Sequence, residues 1–330
     1  MIPRITIRGV EFSPGLFCAP LAEVTHSAFR RLVAEFGGCG ALFTEMLNGR
    51  EILREDFQRS PYVLRRPVEK KVFYQLMLRS SDPVEQIIGR LAENHPDGID
   101  INLACYAPVI RQLDAGSGLF ENPIALASVL QSARASWSGP LTVKIRLGHS
   151  TIGAEDRFAE RLRIIENSGI DAITLHTRFF EDKFKRRSRH ELFAWATTLT
   201  KLPIIANGDI TGARIVRDNA ALFQTVAGFM IGRMAIAKPW IFAAWNQPVE
   251  INYAEVWRRL HDYICEDFEP EIAIKRMRLF TKYYARNFHF GHTFSSAIQN
   301  APDMDAARSC AEEFFGVPQA VFEEPSMMGI

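Results

Sequence analysis

The residues that could do chemistry in this chain stand inside or just after short apolar runs. Lys144 lies within Leu141-Thr142-Val143-Lys144-Ile145. A cation in such a strand needs an electron-rich partner, because burying it alone is costly. Further on, Asn207-Gly208-Asp209-Ile210-Thr211 follows one apolar run and Gly232-Arg233 follows the next. Glycine lets backbone N–H groups approach an anion closely, and arginine offers its oxygens a charged fork. Together the two segments read as a phosphate cradle; Asn-Gly-Asp alone is equally an ordinary strand-to-helix turn. Cys105 follows the run Gly98–Leu103 and precedes Gly116 and Gly118. An ordinary thiol is mainly protonated at neutral pH and can serve as an acid.

Collecting the residues that close each apolar run gives one polar set. It holds Pro20, Glu45, Gln75, Asn102 with Cys105, Lys144 with Arg146, His176 with Arg178, Asn207-Gly208-Asp209 and Gly232-Arg233. The N1–C2=O edge of a flavin, which gains negative charge on reduction, is a suitable partner for Lys144; a carboxylate such as Glu45 is the alternative. His176 could hydrogen-bond a cofactor or its phosphate, and its role depends on its neighbours, since a lone histidine is more often structural.

The elements that must bring this set together alternate along the chain. Predicted strands are Leu16–Ala19, Ala41–Thr44, Val72–Met77, Gly98–Leu103, Leu141–Arg146, Ala172–Leu175, Pro203–Ala206 and Gly228–Ile231. Helical patterns fall between most of them, as at Ser27–Phe36, Pro83–Glu93, Pro123–Ala135 and Glu155–Asn167. Repeated strand–helix alternation reads as an α/β fold, a (β/α)8 TIM barrel whose chemistry sits where the strands' C-terminal ends converge. A phosphate site commonly forms after its seventh and eighth strands, and helix N-termini directly downstream would add their dipoles. A doubly wound open sheet is the competing fold, but no GxGxxG turn follows the first strand. After about Gln247 only helices are predicted, at Ala254–Glu266, Ile272–Asn287 and Ala306–Phe315. We therefore expect a barrel domain over residues 1–247 and a small helical bundle over 248–330, with the boundary near Pro248.

Composition narrows the rest. The 330 residues are 47% hydrophobic and 23% charged with a net charge of +1, the balance of an ordinary globular protein with no global polyanion signal. No apolar run is long enough for a membrane span, and Met1–Thr6 carries no secretory core, so a cytoplasmic protein is expected. Cys18, Cys39, Cys105, Cys265 and Cys310 form no CxxC pair, which suggests neither a zinc site nor a disulfide framework. All but Cys105 read as small buried apolar residues. No metal and a monomeric state are expected.

The ordered series of motifs resembles the dihydrouridine synthase family from about Phe17 to Phe315. It is carried by Ala19-Pro20-Leu21-Ala22-Glu23-Val24-Thr25 through Phe29-Arg30, Thr44-Glu45-Met46, Tyr74-Gln75-Leu76 and Asp100-Ile101-Asn102 to Cys105. It continues through Ala115-Gly116-Ser117-Gly118, Val143 to Gly148, His176-Thr177-Arg178, Asn207 to Ile210, Met230 to Arg233 and Pro239-Trp240-Ile241-Phe242. The resemblance implies FMN held by Pro20, Gln75, Lys144, His176, Asn207, Gly208, Asp209, Gly232 and Arg233. It also implies NADPH (or NADH) as reductant and RNA, above all tRNA, as substrate: hydride reaches uracil C6 and Cys105 protonates C5. The chain departs from the family pattern at Tyr106, where proline is usual, and at Ala104 and Glu23, where glycine is usual. His26 replaces aspartate, and Pro108-Val109 stand where basic residues are common.

Two basic segments suggest how RNA is gripped. Lys275, Arg278, Lys282 and Arg286 are spaced three, four and four residues apart on one helical face, opposite Met277, Phe280, Tyr284 and Phe288. Such a row can hold phosphates without reading sequence. Lys183, Lys185, Arg186 and Arg187 follow the sixth strand, and Asn102, Tyr106 and Arg178 border the expected substrate path. Two alternatives stay open: a related FMN barrel reducing a small free substrate, and a family member that binds RNA with altered catalysis.

Overall fold

A computed structural model describes residues 4–182 and 185–327; Lys183 lies outside the described residues. The chain begins with a hairpin, β1 (Ile5–Ile7) and β2 (Val10–Phe12), that the sequence reading does not contain. Its turn, Arg8-Gly9, has positive φ at both residues (47° and 78°), the twist that suits a tight two-residue hairpin. Strands this short carry too little alternation to stand out as a pattern.

Eight parallel strands follow: β3 (Leu16–Cys18), β4 (Leu42–Asn48), β5 (Val72–Met77), β6 (Gly98–Asn102), β7 (Leu141–Arg146), β8 (Ala172–His176), β9 (Ile204–Asn207) and β10 (Gly228–Ile231). Each pairs with the next in order, and β10 returns to β3. The ring closes between β3 and β4 through a Phe17–Ala41 bridge, where the Cys18 N–H donates to the Ala41 carbonyl at 3.1 Å. Closure removes the sheet edges and rules out the open doubly wound alternative. Helices that include Ser27–Phe36, Val84–Ala92, Pro123–Ser136 and Ala154–Asn167 cover the outside. The strands are therefore buried on both faces, which explains their nearly continuous apolar runs.

The hairpin plugs the N-terminal end of this barrel. Phe12 is fully buried with its ring 5.2 Å from Phe73, and Phe73 stacks on Phe43 at 4.8 Å. Arg8 anchors the plug by donating to the Ser138 carbonyl (2.6 Å) and to Asp171 (3.2 Å). Side chains thus fill this end of the barrel, and the polar residues nominated by the sequence gather at the opposite, C-terminal ends of the strands.

The last part of the chain is helical: Tyr253–Asp267, Pro270–Tyr284, Gly291–Asn300 and Met304–Phe315. Gly291–Asn300 was not expected, because its polar sequence has few large apolar residues; it is held by Phe294 and Ile298, both buried. Met277, Phe280, Tyr284 and Phe288 face inward as their spacing predicts. The bundle packs against the Ser27–Phe36 helix. Arg31 meets Glu266 at 2.7 Å there, the Tyr263 hydroxyl donates to Glu35 at 2.9 Å, and Asp267 accepts from Ser27 and Arg66. Of the four cysteines expected to be buried, Cys18 is; Cys39 and Cys310 are part-buried, and Cys265 is exposed, because its position on the helix turns away from the core. Among the described residues, no helix is long and apolar enough to cross a membrane, and no cluster of His, Cys, Asp or Glu could hold a metal ion.

Candidate active site

Parallel pairing sets the polar residues side by side at the barrel's C-terminal end. Asn102 is in register with Lys144, Arg146 with His176, and His176 with Asn207. On β4 the register shifts between Phe43 and Met46, so Thr44 and Glu45 bulge out of the ladder. The bulge re-aims both side chains, as bulges beside active sites commonly do. The Gln75 N–H donates to Thr44 Oγ1 at 3.0 Å.

A chain of amides runs from β5 to the Cys105 loop. Gln75 Nε2 donates to Asp100 Oδ2 (2.6 Å), Thr142 Oγ1 donates to Asp100 Oδ1 (2.6 Å), and Asn102 Nδ2 donates to Gln75 Oε1 (2.8 Å). The Asn102 Oδ1 then accepts from the backbone N–H groups of Ala104 (3.2 Å) and Cys105 (2.9 Å). On the other side of the thiol-bearing residue, the Cys105 carbonyl accepts from Ser117 N–H at 3.0 Å. Cys105 is thus held at both backbone polar groups, and the residue is part-exposed at the mouth.

Asp100, at the centre of β6, is a site residue that the sequence expectations did not include. Burial pushes its carboxyl up to about 6, against the Gln75 and Thr142 hydrogen bonds and the Lys144 charge. It is the carboxylate that acts electrostatically on Lys144, in place of the Glu45 considered from sequence; Glu45 instead accepts from the Glu23 N–H at 2.6 Å. Burial and the charge of Arg146 pull Lys144 down to about 8, with Asp100 and Cys105 acting the other way. An acidic residue inside an apolar strand is the same signal that singled out Lys144, and would have found Asp100.

The second cluster joins β8, β9 and β10. Arg178 donates to His176 Nε2 (2.8 Å), to Asp209 Oδ2 (2.6 Å) and to the Arg186 carbonyl (2.7 Å). Arg233 donates to the other Asp209 oxygen at 3.0 Å and to the Met327 carbonyl at 2.9 Å. Because a guanidinium can only donate, His176 Nε2 must accept, which leaves the ring proton on Nδ1. Burial, then the charges of Lys144, Arg146, Arg178 and Arg233, hold His176 well below its usual range, so the ring is neutral. Asp209 is held low chiefly by Arg178, its hydrogen-bond donor, against burial. Asn207 Nδ2 donates to the Met230 carbonyl at 2.9 Å.

Gly208 has φ +106°, and a Cβ there would lie 2.2 Å from Ser188 Oγ and 2.5 Å from the His176 ring. Only glycine fits. The helices directly after β9 and β10, Ala213–Asp218 and Arg233–Ala237, are short. Their dipoles are correspondingly small, and the positive charge of this cluster lies on the guanidiniums of Arg178 and Arg233. Arg178, expected from the sequence on the substrate side, is buried in this cluster.

The remaining substrate-side residues are dispersed. Tyr106 is part-buried beside Cys105 and stacks on Phe180. Lys185 and Arg187 are exposed with no ion-pair partner among the described residues, while Arg186 reaches Asp182 at 3.7 Å. Lys275 and Lys282 are exposed on the Pro270–Tyr284 helix, and Arg286 is exposed on the 3-10 turn that follows it. Arg278 departs from the row: it is part-buried and donates to the Ala301 carbonyl at 2.6 Å. The neighbouring Arg276, which the spacing did not select, turns toward the barrel and pairs with Glu23 at 3.2 Å.

The donor set fits a flavin mononucleotide. Arg178 and Arg233 converge on Asp209 with guanidiniums of the kind that meet a phosphate, Lys144 and the Gln75–Asn102 amides offer donors for a polar ring edge, and Gly208 carries no Cβ against Ser188 and the His176 ring.

The dihydrouridine synthase family model matches residues 17–315. The tRNA-dihydrouridine synthase B of Yersinia pestis is 30% identical over 307 residues, covering 87% of this chain and 92% of its own. Those of Proteus vulgaris and Escherichia coli strain K12 are each 29% identical, covering 91% of this chain and 96% of theirs. Among solved structures, the old yellow enzyme from Trypanosoma cruzi is 11% identical with a TM-score of 0.55, covering 76% of this chain and 93% of that one, which shows the shared barrel fold alone. With its motifs in order on one closed barrel, the chain belongs to the dihydrouridine synthase family, a class of flavin-dependent oxidoreductases.

The departures now have physical settings. Glu23 has φ +65°, a conformation that favours glycine; its N–H is held by Glu45 and its carboxylate by Arg276. His26 is buried at the start of the Ser27–Phe36 helix, its ring edge-on to Phe268 at 4.9 Å.

Proposed function

We propose that this protein is an FMN-dependent tRNA-dihydrouridine synthase, which reduces the C5=C6 bond of a uridine in tRNA at the expense of NADPH or NADH. The observation that carries the reading is the placement of Cys105, pinned at both its backbone N–H and its carbonyl, beside a cluster of amides and cations that fits a flavin. Bound there, FMN supplies the hydride that reaches C6.

The chain's own residues do the rest. Cys105 Sγ gives its proton to C5, and the thiolate regains one from solvent. Lys144 would offer a cation to the electron-rich edge of the ring, with Gln75 donating nearby, and Pro20 and Gly232 would help to hold it. His176, Arg178 and Arg233 would hold the phosphate, with Asp209 orienting both arginines. Asn207 and Gly208 shape the floor. Asn102 governs the substrate through the loop that it caps.

Residues 248–330 serve as the RNA-docking domain. Lys275, Lys282 and Arg286 on one side and Lys185 and Arg187 on the other are exposed without ion pairs among the described residues, which leaves their charge available to phosphates. Drawing a uracil out of its stack costs a few kcal/mol, and remote phosphate contacts can offset that cost.

The test is nucleoside mass spectrometry of tRNA from cells lacking the gene, after incubation with the purified holoenzyme and NADPH. Dihydrouridine should appear at a defined position. The Cys105→Ala variant should keep its yellow flavin and yield none. Reduction of free uracil without RNA, or tRNA binding with no change in any base, would each overturn the reading.

A further inference from the structure

The Cys105 loop is braced on its outer side by contacts that the reaction itself does not require. The Tyr106 ring stacks on Phe180 with centroids 5.0 Å apart and planes within 4° of parallel. Phe180 is fully buried and packs edge-on to Phe120 at 6.3 Å, so the surface that Tyr106 leans on is rigid. His149 closes on the stack from the side, 5.8 Å from Tyr106 and 5.2 Å from Phe180. It is fixed between two carboxylates, with Nε2 at 2.5 Å from Glu121 and Nδ1 on Glu181. Arg111, from the turn that carries the Cys105 loop back, lies 5.7 Å over the Tyr106 ring and 3.5 Å from Glu121.

These residues come from four different segments. Tyr106 and Arg111 follow β6, Glu121 precedes the Pro123–Ser136 helix, His149 follows β7, and Phe180 with Glu181 follows β8. Asn102 and Ser117 hold the Cys105 backbone on the barrel side, but neither restrains the loop beyond residue 105. Residues 107–109 are exposed, so among the described residues the ring that ties this stretch to the barrel wall is that of Tyr106.

We infer that Tyr106 is a positioning residue: by stacking on Phe180 within the His149–Glu121–Glu181 clamp, it holds the Cys105 loop so that the thiol faces the reacting base. The stack works through ring area, not through the hydroxyl, which has no hydrogen-bond partner among the described residues. This rests on the reading that Cys105 is the proton donor to uracil. Aromatic pairs contribute beyond their buried area, and a small displacement of a catalytic group can cost on the order of a hundredfold in rate.

The experiment has two arms. In the first, holoenzyme reduced with dithionite is mixed anaerobically with tRNA from cells lacking the gene, and single-turnover flavin reoxidation is followed by absorbance. At saturating tRNA, Tyr106→Ala should slow reoxidation by about ten- to a hundredfold with flavin content unchanged, and Tyr106→Phe should keep the wild-type rate. In the second arm, which needs no RNA, alkylation of Cys105 by iodoacetamide is followed by peptide mass spectrometry. It should change severalfold in Tyr106→Ala and not in Tyr106→Phe. Wild-type rates in Tyr106→Ala in both arms would overturn the brace, as would a Tyr106→Phe variant as impaired as Tyr106→Ala. A wild-type enzyme that never turns over tRNA would sink the proposed function instead, and the alkylation arm would still decide the brace.

Discussion

Replacing Lys144 by methionine should make the flavin-free protein more stable at pH 7 while weakening its hold on FMN. Burial pulls the lysine from 10.5 down to about 8. At about 1.36 kcal/mol per decade of proton affinity, that interval corresponds to a cost of ~3 kcal/mol for carrying the charge below pH 8. The side chain retains some contact with solvent, which lowers the expected figure to ~1–2 kcal/mol. Methionine keeps the apolar stem and removes the charge. The sign follows from linkage: between about 8 and 10.5 the unfolded chain binds more protons than the folded one, so the wild-type apoprotein gains stability with rising pH. Urea unfolding of apoprotein at pH 7 and pH 10 measures this directly. The variant should be the more stable at pH 7, and the difference should shrink at pH 10. FMN titration by fluorescence quenching should show weaker binding, by roughly tenfold or more if one charge-assisted hydrogen bond is lost. A variant less stable than wild type at pH 7, or one that binds FMN equally well, would refute the claim that a burdened cation is retained for an electron-rich ligand.

Three further outcomes can be checked. Gly208→Ala should lose bound FMN, seen as a colourless purified protein, because a Cβ at φ +106° meets Ser188 and the His176 ring; backbone strain alone costs ~1–3 kcal/mol. Arg30→Met should destabilise the fold by ~3–5 kcal/mol in chemical denaturation, since it strands the fully buried Glu69, 2.6 Å from Arg30. Paired charge reversal at Lys275 and Lys282 should weaken tRNA binding, with the slope of log affinity against log salt reduced by roughly 0.7–0.9 per lost phosphate contact; reduction of the flavin by NADPH should be unaffected.

What could be read from the residues alone was whatever repeats or stands out locally. Eight apolar runs separated by helical periods define a barrel because each strand must be buried on both faces. Lys144, Cys105 and the glycines at 208 and 232 stand out because their types are costly or unusual where they occur. The inward face of the Pro270–Tyr284 helix was equally legible, since its apolar residues recur at helical spacing. Contacts between distant segments were not. The Arg8-Gly9 hairpin is too short to show a period, and its place as a plug depends on the cavity left by eight strands. Asp209 orients two arginines, Arg178 turns inward and Arg278 spends its charge on the Ala301 carbonyl. Such pairings form only when strands and helices far apart in sequence are brought within hydrogen-bond reach, and burial then decides which charges stay available. Composition and period thus determine the scaffold and nominate the reactive groups; closure of the barrel decides which of them meet.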